Sequence, residues 1–160
     1  MIRRYMIIAA GIVLASCHSP KHVTREKGYE YLNEAAQLKV RFDAPAMKSG
    51  NRVPVLFTVT NPTGKPLRFL RWETPFEPRI GKYFEIKDRL GNEASFQGAM
   101  ARRIMPPPES AFITVPAHDS VKTTMDLAAI YKLTPGRYTV SYNGGGVSGL
   151  RAGNRFSVSL

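Results

Sequence analysis

Short segments in which apolar and polar residues alternate, each closed by a turn signal, constrain the fold of this chain most. Leu38, Val40 and Phe42 alternate with polar residues, and the same period of two recurs in later segments. Such alternation predicts half-buried β-strands, because successive side chains of a strand point to opposite faces. Turn signals recur about every 8 to 12 residues, which is typical of antiparallel two-sheet folds.

The pattern leads to a specific expectation of fold class. The predicted strands lie at 38–43, 53–60, 67–72, 83–86, 94–96, 111–115, 121–125, 138–142 and 156–160. Residues 126–133 lack the alternation and are predicted as the single short helical turn. We therefore predict an all-β chain, an antiparallel immunoglobulin-like β-sandwich of about eight strands, with a barrel as the alternative. Pro135-Gly136 before Tyr138 also resembles a tyrosine corner, which would give Tyr138 a structural role.

The first residues of the chain predict export. Arg3 and Arg4 precede an apolar run that ends in Leu14-Ala15-Ser16-Cys17. The run is too short for a transmembrane helix, which needs roughly 20 residues. Its end resembles a bacterial lipobox, which implies cleavage before Cys17 and attachment of membrane lipid to that thiol. An ordinary secretory signal with an incidental cysteine is the alternative.

Three regions follow from this interpretation. We expect a signal peptide at 1–16, a lipidated cysteine and flexible tether at 17–37, and the β-sandwich domain at 38–160. Two or more acyl chains hold a protein stably on a membrane. His18 after the cysteine, by resemblance to lipoprotein sorting, implies the periplasmic face of the outer membrane if the cell has one. The expected location is therefore the cell envelope.

Charge and composition narrow the range of partners. The 23 basic and 12 acidic side chains give a net charge of +11, which becomes +9 when Arg3 and Arg4 leave with the signal. Such a chain is attracted to anionic lipids, acidic polymers or acidic proteins. The basic residues are dispersed and the chain is exported, so we expect no nucleic-acid partner.

The sequence offers little chemistry for catalysis. It has no His-Glu-x-x-His, phosphate-binding loop or nucleophile elbow, and Cys17 is the only cysteine. His118-Asp119 and the glycine-rich segment 143–149 both fall in predicted turns, where local backbone roles are the simpler interpretation. We therefore expect no enzymatic activity, no cofactor and no metal site.

One block of residues stands out as a candidate site at the end of the predicted strand 67–72. It joins the only tryptophan to a phenylalanine, two carboxylates and a proline, and consists of Trp72, Glu73, Thr74, Pro75, Phe76 and Glu77. In one interpretation Trp72 and Phe76 plug the end of the sandwich. In the other, the block is a rigid loop that presents aromatic side chains to a protein partner, because buried aromatics are typical interface anchors.

The same block carries a family resemblance. Together with Thr58-Val59-Thr60-Asn61-Pro62-Thr63-Gly64, Tyr83-Phe84-Glu85-Ile86 and Thr134-Pro135-Gly136-Arg137-Tyr138, it resembles the amino-terminal pro-region of bacterial deuterolysin-type zinc endopeptidases, the aspzincin family with its peptidyl-Lys enzymes. The resemblance covers about two thirds of the chain. In that family the pro-region is a β-sandwich that precedes the catalytic domain and is thought to keep it folded and inactive.

The resemblance implies a free-standing pro-region-like module, since no zinc motif follows Leu160. Its expected use is to inhibit or chaperone an exported zinc endopeptidase, with the block from Trp72 to Glu77 at the contact. Lys82, Arg102 or Arg103 is expected to mimic a substrate side chain, and nothing in their spacing selects one. The alternative is an envelope lipoprotein whose basic domain binds anionic glycan or another envelope protein.

Overall fold

The computed structural model describes residues 29–44 and 52–160, and within them the chain is mostly β-strand. One α-helix, α1, spans Tyr31–Ala35, and two turns of 3-10 helix span Glu109–Ala111 and Leu127–Ala129. The ten strands are β1 Lys39–Asp43, β2 Pro54–Thr60, β3 Leu67–Leu70, β4 Phe84–Asp88, β5 Ser95–Phe96, β6 Phe112–Val115, β7 Ser120–Asp126, β8 Tyr131–Lys132, β9 Arg137–Tyr142 and β10 Arg155–Ser159. The predicted all-β class is confirmed.

The strands form four antiparallel sheets. Two have three strands, in the orders β1-β2-β7 and β10-β9-β4, and two are the pairs β3-β6 and β5-β8. In β2 the predicted face is buried, because Val55, Phe57 and Val59 are all 0% exposed. The register with β7 aligns Phe57 with Thr123. Because paired residues lie on the same face of a sheet, one face of each strand is turned to the core.

Aromatic side chains join the two three-stranded sheets. The ring of Phe42 on β1 lies 5.3 Å from that of Phe84 on β4, and Phe57 on β2 lies 5.0 Å from Tyr142 on β9. Both contacts are tilted or edge-on, the geometry that ring quadrupoles favour. Each buried Phe contributes about 1.5–3 kcal/mol relative to an exposed one. The inner faces of these sheets therefore share one core, while their arrangement as a sandwich stays a prediction.

A side-chain amide connects β1 to the segment before β10. The backbone N–H of Phe42 donates to Asn154 Oδ1 over 2.8 Å, and Asn154 Nδ2 donates to the Phe42 carbonyl, also over 2.8 Å. Asn154 thus pairs with this edge strand as a neighbouring strand would. The ring of Phe156 on β10 also lies 5.3 Å from that of Phe42, so a ring contact adds to the hydrogen bonds between β1 and this segment.

The predicted tether ends earlier than expected. Residues 31–35, assigned to the tether at 17–37, form helix α1, with Tyr31 3% exposed and Ala35 0% exposed. The Tyr31 hydroxyl donates to the Val147 carbonyl over 2.8 Å, and its ring meets Phe112 edge-on at 5.2 Å. Two buried side chains one helical turn apart are too few to show a period in the sequence. The tether boundary was therefore wrong, and α1 belongs to the folded domain.

Two features predicted from local sequence are present in the structure. The short helical turn predicted within 126–133 forms at Leu127–Ala129, while Tyr131–Lys132 pairs with β5, and α1 and Glu109–Ala111 add helix that was not predicted. The tyrosine corner is confirmed, because the Tyr138 hydroxyl accepts from the Thr134 backbone N–H at 3.1 Å and contacts its carbonyl at 3.2 Å. In the glycine-rich segment 143–149, Ser148 is 0% exposed, whereas Asn143 and Gly146 are exposed.

Candidate functional site

The block from Trp72 to Glu77 forms a compact loop after β3. Its apolar side chains pack against other side chains of the domain. Thr74 is fully buried, donates from its hydroxyl to the Arg71 carbonyl over 2.6 Å and accepts from the Phe76 N–H over 3.2 Å. Trp72 is only 6% exposed and packs in a cluster with Tyr31, Leu70 and Ala111. Short-range bonds of the Thr74 hydroxyl therefore hold the loop in shape.

Phe76 packs against the main core and is partly exposed. Its ring lies 5.6 Å from that of Phe69 on β3 and 6.2 Å from that of Phe57 on β2, both edge-on. Pro75 is buried, whereas Glu73 and Glu77 are partly exposed. The apolar side chains thus lie as the plug interpretation requires. Contact of this block with a partner stays a prediction, and Trp72, which is 6% exposed, offers little surface for it.

A cation joins this block to a distant part of the chain. The guanidinium carbon of Arg103 lies 4.9 Å from the centre of the Trp72 ring. Its Nη1 donates to Glu77 Oε1 over 3.2 Å, and its Nη2 pairs with Glu77 Oε2. The two side chains are 20% and 16% exposed, so water screens the pair less than it screens a surface ion pair. Trp72, Glu77 and Arg103 are here called the clamp.

The clamp holds a loop formed by residues 98–108. At its start, the Ala99 N–H donates to the Arg79 carbonyl and the Gly81 N–H donates to the Ala99 carbonyl, each over 2.8 Å. A Cβ on Gly98 would lie 2.6 Å from the Arg79 carbonyl oxygen, so this close approach needs glycine. At its end, the Ala111 N–H donates to the Pro108 carbonyl over 2.9 Å, and the Arg71 N–H after β3 donates to the Ala111 carbonyl over 3.0 Å. Both ends of the loop are therefore fixed to the domain.

Between these ends the loop exposes apolar and basic side chains. Met100 is 75% exposed and Ile104 is 82% exposed, while Arg102 between them is also exposed. No acidic residue occurs between Gly98 and Pro108. Large exposed apolar side chains in one short segment are typical of a contact surface rather than of scattered surface residues.

The structure distinguishes the three basic side chains that were predicted as substrate mimics. Lys82 Nζ lies 2.7 Å from Glu93 Oε1, and Arg103 is held in the clamp. Arg102 has no ion pair with any described residue. Of the three, Arg102 is therefore the cation that remains available to a partner.

The sequence analysis named Arg102 and Arg103 as candidate cations but did not identify the exposed apolar residues beside them. The signal was present, since Met100-Ala101-Arg102-Arg103-Ile104-Met105 has neither strand alternation nor a turn composition. The pairing of Arg103 with Glu77 joins residues that are 26 apart, which local patterns do not reveal.

Other titratable groups have structural roles. Burial raises the pKa of Tyr142 to about 12, and it also raises the pKa of Tyr83 and Tyr131. The Tyr131 hydroxyl donates to the Phe84 carbonyl over 3.0 Å, and the Tyr142 hydroxyl lies 3.5 Å from Ser148 Oγ. These phenols satisfy polar groups within the core. The His118-Asp119 turn behaves as predicted, because Asp119 Oδ1 accepts from the Ser120 N–H over 2.7 Å.

Several predicted features concern residues outside the described ranges. Cys17, the signal peptide at 1–16 and tether residues 17–28 lie there. Within 29–44 and 52–160, no three His, Cys, Asp or Glu side chains are grouped so as to hold a metal ion. No helix in the described part of the chain is long and apolar enough to cross a membrane.

Comparison with known proteins gives few relatives. No protein-family model matches the chain. Over 87 residues it is 34% identical to an uncharacterized secreted protein of Arthroderma benhamiae, covering 51% of this chain and 44% of the relative. The chain thus spans less than half the length of that relative, whose description supports export. Among solved structures it is similar to the X-ray structure of a Northeast Structural Genomics Consortium target, with a TM-score of 0.39 and 13% identity over 78% of this chain and 86% of that chain.

Proposed function

We propose that this chain is an exported, lipid-anchored protein-binding module that inhibits or chaperones an exported zinc endopeptidase, without catalysing a reaction itself. Cys17 is the proposed site of lipid attachment and the cell envelope the proposed location. The resemblance to aspzincin pro-regions supplies the class of partner. The similarity to a secreted protein supports the exported part of the proposal.

The observation that carries the proposal is the exposed 98–108 loop held by the clamp. A loop whose two ends are already fixed loses less conformational freedom when it docks, so more of its contact energy remains as affinity. Arg and Met are enriched at protein interfaces, and the loop exposes Met100 and Arg102 side by side with Ile104. Docking of such a loop would occlude a cleft by shape and charge.

The block from Trp72 to Glu77 takes a supporting part in this proposal. Trp72 and Glu77 hold Arg103, and Phe76 ties the block to the core through Phe57 and Phe69. The residues first singled out as contacts would thus act on the partner through the loop that they hold. Glu73 and Glu77, which are partly exposed, remain candidates for direct contact.

The direct experiment is a titration of the purified full chain against a lysine-directed aspzincin endopeptidase from the same source. Cleavage of a lysine-containing peptide reports inhibition, and recovery of activity after dilution from denaturant reports chaperoning. We expect stoichiometric inhibition or improved recovery. Chymotrypsin, assayed on a peptide with an aromatic residue, is the control enzyme, because its primary pocket is a hydrophobic slot and it should be unaffected. No effect on activity or on recovery would refute the proposal.

A second candidate function is binding of anionic glycan in the envelope. It is favoured by a surface depression of about 520 Å³ lined by Lys39, Val40, Arg41, Thr60 and Asn154. Lys39 has no ion pair among the described residues, although Arg41 pairs with Asp43 at 2.8 Å. Binding at this surface would weaken steeply with salt, because exposed charges are screened beyond about 10 Å at 0.1 M salt. It would be lost in Lys39→Glu and survive Trp72→Ala.

A further inference from the structure

Resting on the proposed function, we propose that the 98–108 loop is the element that enters the cleft of the endopeptidase, and that Arg102 is the side chain taken by an acidic pocket there. Arg103 is the positioning residue that holds the loop in place. The occupant of this surface is therefore a peptidase cleft with a carboxylate-lined pocket.

The first argument is the different environment of two neighbouring arginines. Arg103 is turned into the domain, where Trp72 and Glu77 hold it, and its side chain is only 20% exposed. Arg102, one residue earlier, is exposed and unpaired among the described residues. Because the backbone of Arg103 is fixed through its side chain, the directions open to the Arg102 side chain are restricted. The loop thus presents a single cation from a defined position.

The second argument is the composition around that cation. Met100 and Ile104 flank Arg102 and are both more than 70% exposed, at 75% and 82%. Burial of these side chains against a partner is favourable, because it removes apolar surface from water. Apolar contacts on both sides also exclude water from a central charged contact, which strengthens it. The arrangement fits a pocket that takes one basic side chain between apolar walls.

The third argument is charge complementarity. The loop from Gly98 to Pro108 has two arginines and no acidic residue. Glu77 and Glu109, the acidic groups at its base and end, are already paired, with Arg103 and with Arg68 at 2.9 Å. An acidic partner surface would therefore meet no repulsion from an unpaired carboxylate of this loop. A neutral or basic cleft would gain nothing from Arg102.

The test extends the inhibition titration to matched variants of the full chain. We expect Arg102→Ala to raise the inhibition constant about 30-fold or more, the loss typical of a central contact, and Arg102→Lys to retain most of the inhibition. Met100→Ser with Ile104→Ser should give a loss of similar size. Lys122→Ala removes the same charge from an exposed position on β7 and should leave inhibition unchanged.

Arg103 provides a separate readout of positioning. Arg103→Ala should weaken inhibition, and Arg103→Lys should restore part of it, because an ammonium group can still pair with Glu77. The emission of Trp72 should shift in Arg103→Ala, since the cation above its ring is lost. Restoration by lysine separates loss of the ion pair from general unfolding, and equal loss in both variants would contradict the positioning role.

The outcomes separate this inference from the function on which it rests. No inhibition and no chaperoning by the unaltered chain would overturn both. Inhibition that survives Arg102→Ala would overturn the loop assignment and leave the function standing. Equal losses in Arg102→Ala and Lys122→Ala would indicate general charge attraction, as an anionic polymer would give, and would also overturn the loop assignment.

Discussion

Coupling between Arg103 and Glu77 is expected to contribute about 2 kcal/mol to the free energy of unfolding. Exposed ion pairs contribute roughly 0.2–1 kcal/mol, but these side chains are only 20% and 16% exposed. A hydrogen bond to a charged group contributes roughly 1.5–3 kcal/mol. The cost of removing both charges from water keeps the value in the lower part of that range.

A double-mutant cycle isolates this coupling. Glu77→Gln should lower the free energy of unfolding by about 2 kcal/mol. Arg103→Met should lower it by about 3 kcal/mol, because the contact of the guanidinium with Trp72 is lost as well and contributes about 1 kcal/mol. The double variant should resemble Arg103→Met alone, since the pair can be lost only once.

Urea unfolding, followed by tryptophan emission, measures the free energy of unfolding of the unaltered chain, the two single variants and the double variant. Trp72 reports the transition, because it is the only tryptophan in the chain. The pair Arg41–Asp43 is the matched control, because its side chains are 75% and 48% exposed and its coupling is therefore expected to be weak. A coupling between Arg103 and Glu77 no larger than that of the control would refute the reasoning that the clamp is shielded from water and holds the loop.

Three further results are expected. Burial raises the pKa of Tyr142 to about 12 in the folded chain, whereas the same phenol in the unfolded chain has a pKa of 10.0. The free energy of unfolding should therefore fall by up to about 3 kcal/mol as the pH rises between these values. Denaturant titrations at each pH should show a smaller fall in Tyr142→Phe. Asn61→Ala should cost about 3 kcal/mol in urea unfolding, because the buried Asn61 amide donates to three backbone carbonyls, and a cost below 1 kcal/mol would contradict this. Gly149→Ala should speed hydrogen exchange in α1 but not in β2, since its φ is +77° and the new Cβ would lie 2.7 Å from that of Ala35.

Much of the fold could be predicted from local pattern. In β2 the alternation of Val55, Phe57 and Val59 was readable because one face of the strand is buried along its whole length. The tyrosine corner was readable because Tyr138 bonds to Thr134, only four residues away. Predictions succeeded where the decisive contacts lie within one segment.

The features that were missed depend on contacts between distant segments. Helix α1 is stabilised by Tyr31 through Val147, which lies 116 residues along the chain, and its five residues are too short to be stable alone. The strand predicted at 94–96 first returns antiparallel to β4, where the Ala94 N–H donates to the Ile86 carbonyl over 2.8 Å, and its pairing with β8 beyond that point was not predicted. The sequence drew attention to the block at Trp72, yet only the fold reveals that Arg103 occupies it.

The pairing of Asn154 with Phe42 has a consequence for self-association. An edge strand with free N–H and C=O groups is a template on which a second chain can add a strand, and such growth leads to aggregates. On β1 the outward-facing groups of Phe42 are both occupied by one amide side chain of the same molecule. A second copy approaching this edge therefore has to displace Asn154 before it can pair with the end of β1 at Phe42, and that requirement protects a crowded population of these molecules from polymerising through β1.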